Sequence, residues 1–181
     1  MARFLHKTTK QWHDDDGTGD LGPDYLRNPD LSAVAGVPQS RWVVDGDAVR
    51  APNEQELAAF MAAELAAEKS AKLEAINAKT GRLIESGSVV VNGVSISTAL
   101  TNQVSLQALD TLVATGIATF PQEISATDGT SYTITSAADF VRIAGIVATF
   151  VMTTKAAGRA LRAHVLAAET VEAVAAVEDN R

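Results

Sequence analysis

Residues 14–20 hold the densest group of side chains that could bind a metal ion. They read Asp-Asp-Asp-Gly-Thr-Gly-Asp, and calcium takes several carboxylate and carbonyl oxygens from a loop that glycine allows to fold. In an EF-hand register that begins at Asp14, the third position is Asp16 and a glycine falls at the sixth. The twelfth position is Tyr25, where a bidentate glutamate belongs. The pattern therefore favours a solvated acidic turn, with Asp14, Asp16 and Asp20 as the calcium candidates.

Other residue types that support catalysis are scarce or badly spaced. The chain has no cysteine, and its three histidines, His6, His13 and His164, have no third nitrogen or sulfur ligand near them in sequence, which argues against zinc. The sequence contains neither a G-x-S-x-G turn nor a G-x-x-x-x-G-K phosphate loop. We therefore predict a protein that is not an enzyme, with no catalytic residues and no cofactor.

The charge balance limits the partners of the chain. Its 22 acidic and 15 basic residues give a net charge of −7, which argues against binding to nucleic acid or to an anionic membrane surface. The most apolar run, residues 140–152, contains Arg142 and is too short for a bilayer span. We expect it to be a buried core helix, with no membrane insertion. The first residues lack the apolar segment of a secretory signal, which indicates synthesis and folding in a cytoplasm.

A cationic helix face lies near the C-terminus, where Lys155, Arg159 and Arg162 follow one another at i, i+4 and i+7. This face could bind an acidic segment of a neighbouring copy, and the acidic candidates are Glu169, Glu172, Glu178 and Asp179. A solvated helix face is the plainer interpretation. Aromatic residues are not interleaved with these cations, which argues further against nucleic-acid binding.

Residues 1–51 are predicted to form an extended attachment arm with a short β-hairpin that turns at Asp45-Gly46. The segment is rich in proline, glycine and aspartate and has few aliphatic residues, so we expect it to build no core of its own. Large aromatic side chains bury much area at little entropic cost and would anchor the arm in a partner. The predicted partner-binding residues are Trp12, Tyr25 and Trp42.

Residues 52–87 are predicted to form one long helix. Asn53 and Glu56 have the spacing of a capping box, and the residues that follow are almost all strong helix formers. An apolar stripe along this stretch suits a packed helix or a short coiled coil. We expect the core of an oligomer to contain Leu65, Leu73 and Ile76 of this helix and Phe150 of a later one.

Residues 88–181 are predicted to alternate hairpins and helices. Asn92-Gly93 and Asp128-Gly129 lie between alternating, β-branched stretches and indicate two hairpins. A helix ended by Gly116 should follow the first hairpin, and a longer helix capped by Ser136 should follow the second. The fold class is therefore α+β and mainly helical, with an extended arm and short hairpin before helix, hairpin, helix, hairpin, helix.

The C-terminal two thirds of the chain resembles the small domain of unknown function that recurs in tailed-phage tail and tail-fibre proteins. The similar stretches are AKLEAINAKTGRLIESGSVVVNGVSIST, NQVSLQALDTLVATG and SAADFVRIAGIVATFVMTTKAAGRALRAHV. RWVVDGDAVRAPNEQELAA is similar to the segment that often precedes such domains. The resemblance brings no catalytic residues, and it implies a place in the tail or adsorption apparatus of a virion.

The leading hypothesis is a structural protein of the phage virion, located in the tail after synthesis in the host cytoplasm. Its arm would attach to other virion tail proteins, and its helices would form a homo-oligomer, with a homotrimer expected. One alternative is a tail-fibre assembly chaperone, which binds transiently and is absent from particles. Another is a receptor-binding module. Such a module would need an exposed aromatic platform, and the C-terminal part of the chain has few aromatic residues.

Overall fold

The computed structural model describes residues 2–14 and 21–181. It confirms the α+β class predicted from the sequence, with mixed helices and small sheets. The chain divides into two compact units, Met1–Ala66 and Ala67–Arg181. The division lies within one long helix, α1 (Glu54–Glu85), so this helix contributes residues to both units.

The N-terminal unit contains two small antiparallel sheets. The first is built from β1 (Arg3–His6), β2 (Trp12–Asp14) and β3 (Tyr25–Arg27). Their order across the sheet is β2-β1-β3. The second is a hairpin of β4 (Val43–Asp45) and β5 (Ala48–Arg50). This hairpin turns at Gly46-Asp47, one residue later than predicted, because Asp45 pairs with Ala48 and Gly46 has a φ of +60°.

The N-terminal residues build a small core, which corrects the expectation of an extended arm. The buried side chains are Leu5, Leu26, Val34 and Val49. Each comes from a different strand or turn, so a segment poor in aliphatic residues still closes a core once its strands pair. The two tryptophans, Trp12 and Trp42, pack around it.

The start of α1 has the capping box predicted from Asn53 and Glu56. The Asn53 side chain accepts a hydrogen bond from the Glu56 N–H, and the Glu56 carboxylate accepts one from the Asn53 N–H, each at 2.8 Å. Arg50, at the end of β5, donates to both Glu56 oxygens at 2.7 and 2.8 Å. The Arg50 guanidinium and then the Asn53 N–H lower the pKa of Glu56 to about 2. One carboxylate thus joins the second hairpin strand to the helix start.

The contacts of Glu56 predict a pH-dependent contribution to stability. Because folding lowers the pKa of Glu56 from 4.5 to about 2, its contribution is complete above pH 4.5 and is lost as the pH falls towards 2. We expect Glu56→Gln to lower the free energy of unfolding at neutral pH, and the difference from wild type to shrink over that acid range. Urea denaturation at a series of pH values measures it. Glu54→Gln is the control, since Glu54 is exposed in the same helical turn; a Glu56 effect independent of pH would contradict the prediction.

The C-terminal unit, all of whose residues are described, contains the end of α1, two hairpins and three further helices. The first hairpin pairs β6 (Ser88–Val91) with β7 (Val94–Ser97), and the second pairs β8 (Gln122–Ser125) with β9 (Ser131–Ile134). The helices are α2 (Leu100–Ala114), α3 (Ala137–Ala167) and α4 (Val171–Ala175).

The two hairpins turn differently, although both contain an Asx-Gly pair. Asn92 and Gly93 have φ angles of 50° and 81°, the two positive values that the predicted type I′ turn requires. In the second hairpin, residues 126–130 connect the strands, and of these only Gly129 has a positive φ, at 83°. The second turn therefore lies where predicted but is longer.

Both hairpins pack with α2 and α3 around one apolar core. Its most deeply buried side chains include Ile96, Ile134, Phe140 and Ile143. The hairpins also contact each other, through a bridge between Ile96 and Ala126. Ser136 caps α3 as predicted, because its hydroxyl accepts from the Asp139 N–H at 3.2 Å.

Asn102 is a polar residue inside this core and is 3% exposed. Its side-chain amide donates to the carbonyls of Ser97 at 2.9 Å and Ser125 at 2.7 Å. Its side-chain oxygen accepts from the Ser125 N–H at 3.2 Å. One side chain of α2 thus links the last residue of β7 with the last residue of β8.

Three lysines of α1 hold the C-terminal segment, residues 166–181. They donate to backbone carbonyls in the last turn of α3 and beyond it: Lys69 to Leu166 at 2.9 Å, Lys72 to Ala175 at 3.4 Å and Lys79 to Asp179 at 2.6 Å. The Arg181 guanidinium binds the Asp179 carboxylate at 2.6 Å and the Thr80 hydroxyl at 3.0 Å. Arg181 fits beside Thr80 because Gly158 has no side chain. A Cβ at Gly158 would lie 2.9 Å from Arg181 and 2.6 Å from Thr80.

Candidate docking face on helix α3

Helix α3 carries two parallel stripes, of which one is buried and one is not. The buried stripe packs into the C-terminal unit and consists of Phe140, Ile143, Val147, Val151, Gly158 and Val165. Beside it runs an exposed stripe with alternating spacings of four and three residues, the spacing at which helices pack side by side. We call this stripe the α3 face; it consists of Val141, Gly145, Ala148, Met152, Lys155, Arg159, Arg162 and Leu166.

The α3 face is apolar in its first half and cationic in its second. Val141 is 62% exposed, Met152 is 68% exposed and Leu166, beyond the cations, is 58% exposed. Between Met152 and Leu166, the face consists of Lys155, Arg159 and Arg162, the cationic residues singled out from the sequence. The structure therefore extends that cationic face into a longer mixed surface.

A shallow groove lies along each half of the α3 face. Beside the apolar half, a groove of about 340 Å³ separates α2 from α3, and its lining includes Leu106, Val151 and Met152. Beside the cationic half, a groove of about 240 Å³ lies between α1 and α3 and is lined by Asn77, Thr80 and the three cations. Grooves on both flanks give a second helix room to seat its side chains.

The three cations of the α3 face have no carboxylate partner among the described residues. Arg142, on the same helix, differs because it binds Asp139 at 2.7 Å. A cationic surface without an internal partner in a chain of net charge −7 is suited to an acidic partner.

The sequence suggested C-terminal carboxylates of a neighbouring copy as the acidic partner, but two of these carboxylates already bind groups of their own chain. Arg181 holds the pKa of Asp179 well below its ordinary value, and Lys79 lies 3.5 Å from the same carboxylate. Glu178 accepts a hydrogen bond from Asn180 at 3.2 Å. Asp179 is therefore a poor candidate for contact with a neighbouring copy, because that contact would break its ion pairs.

The four residues predicted to form an oligomer core have different environments. Ile76 is 2% exposed, and Phe150 packs against the core of the C-terminal unit. Side chains covered by their own chain offer little surface to another copy, and an oligomer-core role for these two stays a prediction. Leu65 and Leu73 are half-buried, while Met61, on the same helix, is 56% exposed.

The predicted anchoring aromatics are half-buried on the N-terminal unit. Trp12 lies under Arg3, whose guanidinium carbon is 4.5 Å from the ring centroid. The Trp42 indole N–H donates to the Val37 carbonyl at 2.9 Å. Tyr25 meets the rings of its neighbours His6 and His13 edge-on, at 4.9 and 5.2 Å. These contacts hold the three rings and leave part of each ring exposed. The partner-binding role of the three residues stays a prediction.

The acidic loop proposed as a calcium site is described only at its first residue. Asp14 is exposed and lies 3.6 Å from Arg3, while Asp16 and Asp20 lie outside the described residues. Within residues 2–14 and 21–181, no group of three or more histidine, cysteine, aspartate or glutamate side chains could hold a metal ion. The Nδ1 atom of His6 is already bonded, since it accepts from the Thr8 and Thr9 N–H groups at 3.1 Å each.

Helix α3 is long and apolar enough, by length and composition, to cross a membrane. The sequence run 140–152 alone is shorter than this helix, which continues to Ala167. Its buried stripe packs into the core of the C-terminal unit. The absence of membrane insertion remains a prediction.

The α3 face combines exposed apolar side chains with three cations that have no carboxylate partner among the described residues. Comparison of the chain with protein-family models, with curated proteins and with solved structures found no match.

Proposed function

We propose that the chain is a non-enzymatic structural protein of a phage virion, in the tail or tail-fibre apparatus, and that its copies associate as a homotrimer. The observation that supports this most is the α3 face, which leaves large apolar side chains beside unpaired cations in water. Covering such a surface with another helix releases apolar area from water and supplies the missing negative charge. We infer further that the mainly helical order helix, hairpin, helix, hairpin, helix is the unit that assembles.

In this proposal the N-terminal unit attaches the chain to a larger tail component. Its aromatic rings support that role because Trp12, Tyr25 and Trp42 are held in fixed orientations and keep part of their surface exposed. Rigid aromatic side chains lose little entropy when a partner covers them. The small core beneath them gives the attachment surface a defined shape.

Mass spectrometry of purified virions tests the proposal. We expect the chain in particles, in a fixed ratio to the other tail proteins and in a multiple of three copies for each tail. A tail-fibre assembly chaperone would be present in the infected cell and missing from the particles. That result would overturn the structural role and support the chaperone.

A pair of substitutions on α3 tests the role of the exposed face. We expect Met152→Asp to lower incorporation of the chain into particles by about tenfold or more, because a carboxylate buried in a helix contact costs more than about 1.4 kcal/mol. Thr153→Asp is the matched control, since Thr153 is exposed on the same helix but lies outside the α3 face. Equal incorporation of both variants would contradict the prediction.

A further inference from the structure

The charge of the α3 face limits what can cover it. Three copies of α3 packed in parallel and in register would bring Lys155, Arg159 and Arg162 of each against the same residues of the others, and like charges at such distances repel. The face therefore suits a helix of different sequence. That helix needs apolar side chains where α3 is apolar and carboxylates where α3 is cationic.

The first half of α1 has this chemistry. Residues 54–68 contain four glutamates and neither lysine nor arginine. Two of its apolar side chains point to solvent, since Leu57 is 36% exposed and Met61 is 56% exposed. Glu64 and Glu68 continue the same side of the helix at the next heptad spacings. We call Leu57, Met61, Glu64 and Glu68 the α1 stripe.

The α1 stripe and part of the α3 face have the same spacing with opposite charge. Leu57, Met61, Glu64 and Glu68 are separated by four, three and four residues, and so are Ala148, Met152, Lys155 and Arg159. Aligned in parallel, the two stripes place apolar residues opposite apolar residues at the first two positions. The last two positions place a glutamate opposite a cation.

We propose that the α1 stripe of one copy docks in parallel on the α3 face of a second copy. Leu57 then lies against Ala148, Met61 against Met152, and the two glutamates against Lys155 and Arg159. The apolar pairs provide the buried area, and the ion pairs set direction and register, because exposed ion pairs alone contribute little. This contact rests on the proposed assembly of several copies and names the surfaces that join them.

Glu64 can take part without leaving its own chain. It accepts from Arg41 at 2.6 Å, and its side chain is still 46% exposed. A carboxylate has lone pairs for more than one donor, so a cation of the second copy can bind beside Arg41. Glu68 has no ion pair among the described residues, which makes it the more informative position to alter.

The contact is heterologous, because each copy uses one surface as donor and a different one as acceptor. Repetition of a heterologous contact closes into a ring when the rotation between copies allows it, and otherwise continues as a helical array. A ring of three copies gives the proposed homotrimer. Each chain in the ring then has its α1 stripe covered, together with the part of its α3 face from Ala148 to Arg159.

Sedimentation velocity of the full chain and charge-reversed variants tests this contact. We expect the wild type to associate beyond the 19.0 kDa monomer at a chain concentration of about 100 μM. Glu68→Lys and Arg159→Glu should each weaken association by about tenfold or more, because each places like charges together. The chain with both substitutions should recover most of the association, because the pair is restored with its signs exchanged.

The control for Arg159→Glu is Arg82→Glu, which changes the net charge by the same amount at an exposed arginine of α1 outside the α1 stripe. Met61→Asp, at an exposed apolar position, should weaken association without altering any in-chain ion pair. A monomeric wild type, an Arg82→Glu effect as large as that of Arg159→Glu, or no recovery in the double variant would overturn the contact. Association in solution of a chain that is missing from virions would overturn the proposed function and leave the contact standing.

Discussion

Replacing Gly87 with alanine is expected to lower the free energy of unfolding by about 3 kcal/mol or more, the upper range for overfilling a packed site. Gly87 follows α1 at the point where the chain enters the first hairpin. A Cβ there would overlap the carbonyl oxygen of Leu83, and would lie 2.7 Å from the Thr98 hydroxyl and 2.8 Å from the Phe150 ring. The Leu83 oxygen belongs to the backbone, so no change of side-chain rotamer relieves the overlap.

The matched control for Gly87 is Gly81→Ala in α1. No heavy atom lies within 4 Å of a Cβ built at Gly81, and alanine is favoured over glycine inside a helix by up to about 1 kcal/mol. We therefore expect Gly81→Ala to raise the free energy of unfolding. Urea denaturation followed by circular dichroism measures both variants. A Gly87→Ala protein as stable as the wild type would show that Thr98 and Phe150 do not enclose that position.

Asn102→Ala is the second substitution with a large expected effect. It removes three hydrogen bonds and leaves the backbone groups of half-buried Ser97 and exposed Ser125 without the side-chain partner that α2 supplies. Because a hydrogen bond contributes about 0.5 to 1.5 kcal/mol to stability and three are lost, we expect the free energy of unfolding to fall by about 3 kcal/mol. Hydrogen exchange measured by NMR should also show faster exchange at the Ser125 N–H.

The control for Asn102→Ala is Gln107→Ala, because Gln107 is an exposed residue of the same helix, α2. Its free energy of unfolding should stay within about 0.5 kcal/mol of the wild-type value. Asn102→Asp separates geometry from donor chemistry, since it keeps the accepting oxygen and loses the donor to Ser97 and Ser125. We expect Asn102→Asp to be destabilised at neutral pH as well; wild-type stability of that variant would contradict the assigned donor bonds.

Features that depend on a few neighbouring residues were predictable from the sequence. The capping box of Asn53 and Glu56, the type I′ turn at Asn92-Gly93 and the Ser136 cap all satisfy backbone groups within three or four residues of themselves. Their physical causes are local, so the pattern alone was enough.

Features that depend on distant pairing were missed. The N-terminal core escaped prediction because Leu5, Leu26, Val34 and Val49 each stand alone in sequence and meet only after the strands pair. The α3 face escaped because α3 carries apolar residues on two adjacent stripes, and only the packing of the hairpins decides which one is covered. The four-three spacing from Val141 to Leu166 was the available signal. Asn102 gave no signal, since an asparagine early in a helix is equally compatible with exposure.

The lysine contacts of α1 can form only late in synthesis on the ribosome. Lys69, Lys72 and Lys79 precede their carbonyl acceptors by 97, 103 and 100 residues. Since translation proceeds at roughly 5 to 20 residues per second, these lysines emerge about 5 to 20 s before the groups they bind. The N-terminal unit can close as soon as residue 66 has emerged, whereas the second half of α1 must wait for residues 166–181. The N-terminal unit can therefore be folded while the C-terminal unit still lacks the last residues that it needs.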